Sequence, residues 1–398
     1  MKSAVATVNN VYSPKQTASV LWQEIIQKIK IESNSIGILF CDGEGEPDQL
    51  SAHLHDIAGI DIIGVTTVAA MDNTVGYCEL SSTLLVLTGE DIYLNIAVSD
   101  AITESTAKNC IIDAYKQCVL NGNKPEMIFL FMNSLSGPVS DEIVKAVTGV
   151  SGDVPVFGGI PASFDDNAYV YINGEKHMNR AILVTLSGNI KPLFMVKNVT
   201  SDFYGRKFKA TKAEGRVLYE VDDRPFTEYL MSMGIDVVSA AVDDTDGVFF
   251  HSTPIYVERE LENGETLAYT RVLESVDLES KSATLYSNIP SYTTMSLVSL
   301  RLEDIEKSAA MLGKGMAELI DENKTNGYEY STAICISCFG RYMIAAAQHD
   351  IEAKSMLQNM PSDLNVAGFY SYGEICPITA GGKLNNLVHN CSITLCVF

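Results

Sequence analysis

Three short apolar runs stand out along the chain: Ile36–Cys41, Met127–Met132 and Ala333–Cys338. Each is rich in β-favouring residues and bounded by polar ones, the pattern of a strand covered on both faces. A stretch of helical period precedes each run. The first carries Leu21, Trp22, Ile25 and Ile29, the second Ile111, Ala114, Tyr115 and Cys118, the third Ile305, Ala309, Leu312, Met316 and Ile320. Such spacing makes one apolar stripe per helix. A second helical stretch follows each strand, at 50–57, 139–147 and 351–360. Next comes a short strand closing on a glycine: Gly64, Gly158 or Gly368. From strand start to this glycine the separations are 28, 31 and 35 residues. A polar loop and one more apolar strand complete each unit. The expected fold is therefore α/β, with mixed sheets flanked by helices and built on a repeated helix–strand–helix–strand–loop–strand unit.

Two copies fill the first half and the third closes the chain. The region 217–300 differs. It holds Pro225, Pro254 and Pro290 and the hairpin signal Asn263-Gly264 between extended runs. A polar stretch near 207–215 leads into a helical pattern at Val217–Val221. Two domains are expected, 1–206 with two copies and 207–398 with the insertion and the third.

The glycine loops are where ligands usually meet an α/β sheet. The second reads Gly158-Gly159-Ile160-Pro161-Ala162-Ser163-Phe164-Asp165-Asp166. The third reads Gly368-Phe369-Tyr370-Ser371-Tyr372-Gly373-Glu374-Ile375, and then come Pro377 and His389-Asn390. Together with Cys338-Phe339-Gly340-Arg341 and the stretch from Gly215-Arg216 to Tyr229, these segments resemble the FIST family over residues 30–398. The chain departs from the family pattern at Ala69-Ala70, where a Gly-Glu pair is usual, and at Tyr292, where a glycine is usual. The resemblance implies a bacterial sensory input domain for small ligands, amino acids being one proposal. Some members are haem-containing nitric-oxide sensors. The family often precedes a kinase, cyclic-dinucleotide or chemoreceptor output, so an unidentified signalling partner is implied, and this chain is a stand-alone sensor or the input half of a longer protein.

The formal net charge of −22 argues against nucleic acid and anionic membrane as partners. No apolar run nears the length of a membrane span. Nine scattered cysteines do not form a disulfide pattern, and a cytoplasmic protein is expected. Cys335 and Cys338 lie three apart on a strand and face opposite sides, so they cannot chelate one metal. The segment Leu312-Gly313-Lys314-Gly315 lies inside a helix, away from the free N–H groups a phosphate needs. No enzyme motif is present, and the chain is read as non-catalytic. A hydrolase or transferase using Ser134–Gly137 and Glu374 is the competing class.

Candidate ligand groups are Asp165, Asp166 and Glu374 for an ammonium, Arg271 and Arg341 for a carboxylate, and Tyr370 and Tyr372 as flat walls. Such a set suits an amino acid. His389, at a position matching the family, is the candidate axial ligand should haem be bound. Cys376-Pro377 resembles the dipeptide of haem-responsive proteins. Of the three loops, the third is expected to hold the ligand.

Overall fold

The computed structural model describes residues 1–9, 13–133, 138–165, 167–198, 203–239, 250, 252–261 and 263–398. The protein is α/β: mixed sheets flanked by helices, with the repeated unit appearing three times. In each copy the two glycine-bounded strands run parallel. Asn34–Asp42 pairs with Asp61–Thr67, Met127–Met132 with Val156–Ile160, and Thr332–Cys338 with Asn365–Ser371. The closing strand of each unit, Ser82–Gly89, Ala181–Gly188 or Ile393–Val397, lies antiparallel on the other side of the central one. A further edge strand, Lys2–Val8, Ile92–Val98 or Leu193–Lys197, opens each copy and pairs with its closing strand.

The polar loops after the glycines are hairpins, and each joins a different copy. Hairpin 70–78 of the first copy pairs with Asn365–Ser371 of the third. Hairpin 170–177 of the second pairs with Asp61–Thr67 of the first. Hairpin 373–389 of the third pairs with Val156–Ile160 of the second. The three sheets are thus stitched in a cycle. Their inner faces share one core that includes Phe40, Phe131 and Phe369, where Phe369 stacks on Phe40 at 4.8 Å and meets Phe131 edge-on at 6.2 Å. Each outer face is covered by its own pair of helices: Pro14–Lys28 and Pro47–Ala58, Ala107–Cys118 and Pro138–Ser151, Leu302–Lys324 and Asp350–Leu357. This double cover explains the continuous apolar runs, since all six residues of Met127–Met132 are buried.

The repeat glycines answer to backbone crowding. A Cβ on Gly64, Gly158 or Gly368 would lie 2.1, 1.9 or 2.3 Å from the carbonyl oxygen of Leu39, Leu130 or Cys335 on the parallel neighbour. No side chain fits there. Gly313 is explained likewise, because a Cβ would come within 2.3 Å of the Met356 carbonyl where two helices touch.

The insertion 203–300 forms a separate antiparallel sheet with its own core. Ile255–Glu260 and Thr266–Arg271 make the hairpin that Asn263-Gly264 signals, with Gly264 at φ 84°. Val217–Val221 is a strand rather than the expected helix. It returns from Phe203–Glu214 through Gly215, at φ 57°, and ends at a second tight turn through Asp222 and Asp223. Chain connectivity puts this insertion inside the third copy, between its edge strand Leu193–Lys197 and its first helix Leu302–Lys324. Tyr292 has φ 65°, a conformation that favours glycine, which accounts for the residue usual there.

Candidate functional site

The parallel strands of all three copies end at one side of the molecule. The first copy brings Asp42 and Glu79, the second Ser163 and Phe164, the third Phe339, Tyr342, His349 and Tyr372. The Tyr372 hydroxyl donates to the Ser163 carbonyl and lies 3.4 Å from the Ser163 N–H, which ties the second loop to the third. Phe339 stands edge-on to Tyr372 at 5.4 Å and stacks with Tyr342 at 5.7 Å. Phe164 caps this pair at 5.9 and 5.7 Å and is 64% exposed.

Beside the rings lies a polar triad. The Tyr342 hydroxyl donates to Glu79 Oε1 at 2.5 Å, and His349 Nε2 lies 3.1 Å from the same oxygen. The His349 ring stacks flat on Tyr342 at 4.1 Å, and its Nδ1 is buried without a partner. Burial and the Glu79 hydrogen bond push the Tyr342 hydroxyl pKa up. Asp42 is 7% exposed, and burial raises its pKa. Aromatic faces beside carboxylates are a favourable seat for a cation.

Behind this wall sits a buried polar knot. Arg341 Nε donates to Glu352 Oε1 at 2.6 Å, and its Nη2 to Ser308 Oγ at 2.7 Å. Ser337 Oγ and the Tyr370 hydroxyl donate to Glu352 Oε2 at 2.8 and 3.1 Å. Tyr370 also stacks on Tyr77 at 4.0 Å.

The expected ligand groups therefore do not converge. Arg341 is fully buried and held by Glu352, so it is not open to a carboxylate. Arg271 is 3% exposed and serves the backbone: it donates to the carbonyls of Asn288, Thr270 and Val388 at 3.0, 3.1 and 3.0 Å. Glu374 is fully buried, and its Oε2 accepts from the N–H and hydroxyl of Ser392 at 3.2 and 2.7 Å. Burial raises its pKa well above the ordinary glutamate value, which disfavours the anion an ammonium ligand would need. Tyr370 is enclosed and faces Glu352. Asp165 closes its own turn, accepting from Ser163 Oγ and from Asn167 N at 3.1 Å. The hydrogen bond from Ser163 lowers its pKa. Asp166 and Ser134–Gly137 lie outside the described residues. Of the eight expected groups, Tyr372 is the one placed in the aromatic wall itself.

The loops are also not equivalent in the way their spacing suggests. Register sets Glu374 opposite Gly159 and Ala70 opposite Phe369, while Val170 opposes Val65 in the remaining sheet. Val170, and not Asp165, is thus the counterpart of Glu374. Ala69 and Ala70 are both fully buried.

The haem expectation meets a poor fit. His389 is fully buried, its Nε2 sits 2.9 Å from the Cys376 carbonyl, and burial lowers its pKa to about 4. The Cys376 thiol is fully buried too, with its pKa pushed well up. A macrocycle has no room to reach either donor without opening the hairpin. Among the described residues no group of three or more His, Cys, Asp or Glu side chains is placed to hold a metal ion. No helix among them is long and apolar enough to cross a membrane.

Glu79, Phe164, Phe339, Tyr342 and His349 were not among the groups expected from sequence. The local signals were the aromatic residues bracketing the Gly340-Arg341 step and Phe164 in the loop after Gly158.

Two family models and several known proteins are similar to this chain. The family model described as the FIST N domain matches residues 35–224, and that described as the FIST C domain matches 227–377. An uncharacterized protein of Methanocaldococcus jannaschii is 24% identical over 332 residues, covering 77% of this chain and 59% of its own length. The chain thus spans about three-fifths of the curated relative it matches. Among solved structures, cyanuric acid hydrolase from A. caulinodans aligns over 99% of both chains at 8% identity with a TM-score of 0.36. T. maritima PurL complexed with ATP aligns over 77% of this chain and 71% of its own at 12% identity with a TM-score of 0.23.

Proposed function

The chain belongs to the FIST family, a family of sensory, ligand-binding signalling domains, and from that premise we propose that it is a non-catalytic input module for a small polar ligand carrying an ammonium group, such as an amino acid. The ligand sits at the aromatic side of the molecule. Its cation meets Glu79 and the faces of Tyr342 and Phe339, and Phe164 covers it. The observation that supports this reading is the exposed Phe164 ring capping a wall whose hydroxyl and imidazole both address Glu79. A preformed aromatic wall with one carboxylate selects cations. The strong negative charge of the chain draws them in.

All three copies meet at this spot, so a ligand bound there changes contacts in three sheets at once. A cytoplasmic output partner would read that change through altered stability or exposure of the stitched hairpins.

Thermal-shift screening of amino acids and amines checks the proposal. A ligand at a hundred times its dissociation constant adds about 2.7 kcal/mol of stability. Glu79→Gln and Phe164→Ala are each expected to abolish the shift while leaving the unliganded melting temperature nearly unchanged, because both side chains are largely exposed. A well-folded protein that no such compound stabilises would overturn it.

A further inference from the structure

One of the chain's own side chains already fills the aromatic wall. His349 lies flat on Tyr342, with ring centres 4.1 Å apart and 8° between the planes. Its Nε2 is 3.1 Å from Glu79 Oε1. An aromatic face and a carboxylate oxygen are the two contacts that suit a cation here. Tyr342 is only 8% exposed, so a ligand reaches the face under His349 by moving that side chain aside.

The stretch that carries His349 is poised to move. It consists of one 3₁₀ turn, Ala346–Gln348, and the histidine itself, between the helices Phe339–Ala345 and Asp350–Leu357. Those helices are pinned to each other: Arg341 of the first donates to Glu352 of the second at 2.6 Å, and both side chains are fully buried. The connection can therefore change while its flanks stay fixed. Its first residue, Ala346, has φ 48° and ψ −123°, a region that residues with a Cβ rarely adopt. Holding alanine there stores strain. His349 Nδ1 adds to the cost of the seated position, because it is buried with no partner. Against these stand the stack on Tyr342 and the contact with Glu79, which water weakens because that carboxylate is half-exposed. Opposed contributions of similar size make the seated position easy to leave.

We propose that His349 is a displaceable latch. It fills the cation seat of the unliganded protein, and a ligand that takes the seat drives the connection Ala346–His349 outward. The displacement rests on the cation site proposed above, whereas the latch itself belongs to the unliganded protein. In the open state Ala346 relaxes, His349 Nδ1 meets water, and Glu79 and the face of Tyr342 turn to the ligand. Binding is thereby coupled to a backbone movement at the surface, where Ala346 and Gln348 are exposed.

Hydrogen exchange followed by mass spectrometry on the intact protein reads the latch with and without ligand. The Ala346 amide donates to the Tyr342 carbonyl and reports on the seated turn. Without ligand, protection over 346–350 is expected to rise about fivefold in Ala346→Gly, because glycine takes this conformation without strain. An added glycine ordinarily loosens a segment, so a rise marks relief of strain. Protection there is expected to fall about fivefold in His349→Ala, which loses the stack, while the strand Ser82–Gly89 keeps its protection in both variants. His349 lies at the surface, and the melting temperature verifies that its variant folds. With methylammonium and tetramethylammonium as probes, binding is expected to lower protection over 346–350, the reverse of the usual effect of a ligand. His349→Ala is expected to bind the same probe about threefold more tightly, since no side chain has to leave the seat. Unchanged or reduced protection in Ala346→Gly overturns the latch. A probe that binds and raises protection over 346–350, or that binds His349→Ala more weakly than the parent, overturns it equally. If neither probe binds the parent or His349→Ala, the cation site and the displacement fall together, and the Ala346→Gly result separates that failure from failure of the latch.

Discussion

Glu374 and His389 face each other in the register of the third hairpin, and both are fully buried. Burial keeps each near its neutral form, and this gives two opposed pH dependences. The His389 pKa falls from 6.5 to about 4 on folding. Between those values the unfolded chain binds the extra proton, so stability drops as pH falls through this window, by about 3 kcal/mol in full. The Glu374 pKa rises well above 4.5 on folding. There the folded state holds the extra proton, so stability drops as pH rises above 4.5. Urea melts across pH 4–8 separate the two. His389→Gln should lose the acid-side decline, and Glu374→Gln should lose the decline toward neutral pH. An unchanged pH profile in both variants would refute the assignment. Charge type made these residues, with Arg271 and Arg341, look like ligand groups in the sequence. Their long-range partners were invisible there. Ser392 lies eighteen residues from Glu374 and Asp141 is far upstream of Arg271, with their side chains 3.8 Å apart. The same knot makes Glu352→Gln a severe change. It strands the fully buried Arg341 guanidinium, and removing one partner of a buried pair costs about 3–5 kcal/mol. Circular-dichroism melts measure this loss. Stability within about 1 kcal/mol of the parent, well short of the loss predicted, would show that the pair is not holding the knot.

At the scale of elements, the repeat was legible because each strand is covered on both faces and each helix on one. Burial of that kind leaves a periodic mark in the sequence. The hairpins left a weaker mark. Two of the three turn at Asn173-Gly174 and Gly381-Gly382, all four residues at positive φ, which is hairpin chemistry. Nothing local in them says that the partner strand belongs to another copy. Asn386 shows how the docking is secured. From the third hairpin its Oδ1 accepts from Val156 N at 2.9 Å, and its Nδ2 donates to the Val154 carbonyl at 3.1 Å and to Thr148 Oγ1 at 3.2 Å. The side chain thereby satisfies backbone groups of the second copy where its strand begins. Asn386→Ala leaves a buried N–H and a carbonyl unpaired and should cost about 2–4 kcal/mol. Its signature is local: hydrogen exchange at the Val156 amide should quicken more than at Leu84 in the first sheet. Uniform quickening would mean that the contact supports the whole fold rather than this joint.

Across the whole molecule, division by family and division by sheets give different answers. The two family models part between residues 224 and 227. The sheets do not part there. Strand Leu193–Lys197 needs Ile393–Val397, hairpin 70–78 needs Asn365–Ser371, and Val156–Ile160 needs hairpin 373–389. A fragment of residues 1–206 would keep the first sheet with hairpin 170–177, but its second sheet would lack two strands and its shared core would lose Phe369 and Phe398. Each fully buried ring contributes about 2–3 kcal/mol, while the whole fold is worth only about 5–15 kcal/mol. Open sheet edges add a tendency to aggregate. Fragments 1–206 and 207–398 made separately should therefore show no cooperative melt, whereas the two made together should associate and recover one. The insertion 203–300 has its own core and is the exception. Within the second fragment alone, hydrogen exchange should keep protection in strands such as Ile255–Glu260 and lose it in Thr332–Cys338. A cooperative melt of fragment 1–206 by itself would show that the joints to the third copy are dispensable for the first two.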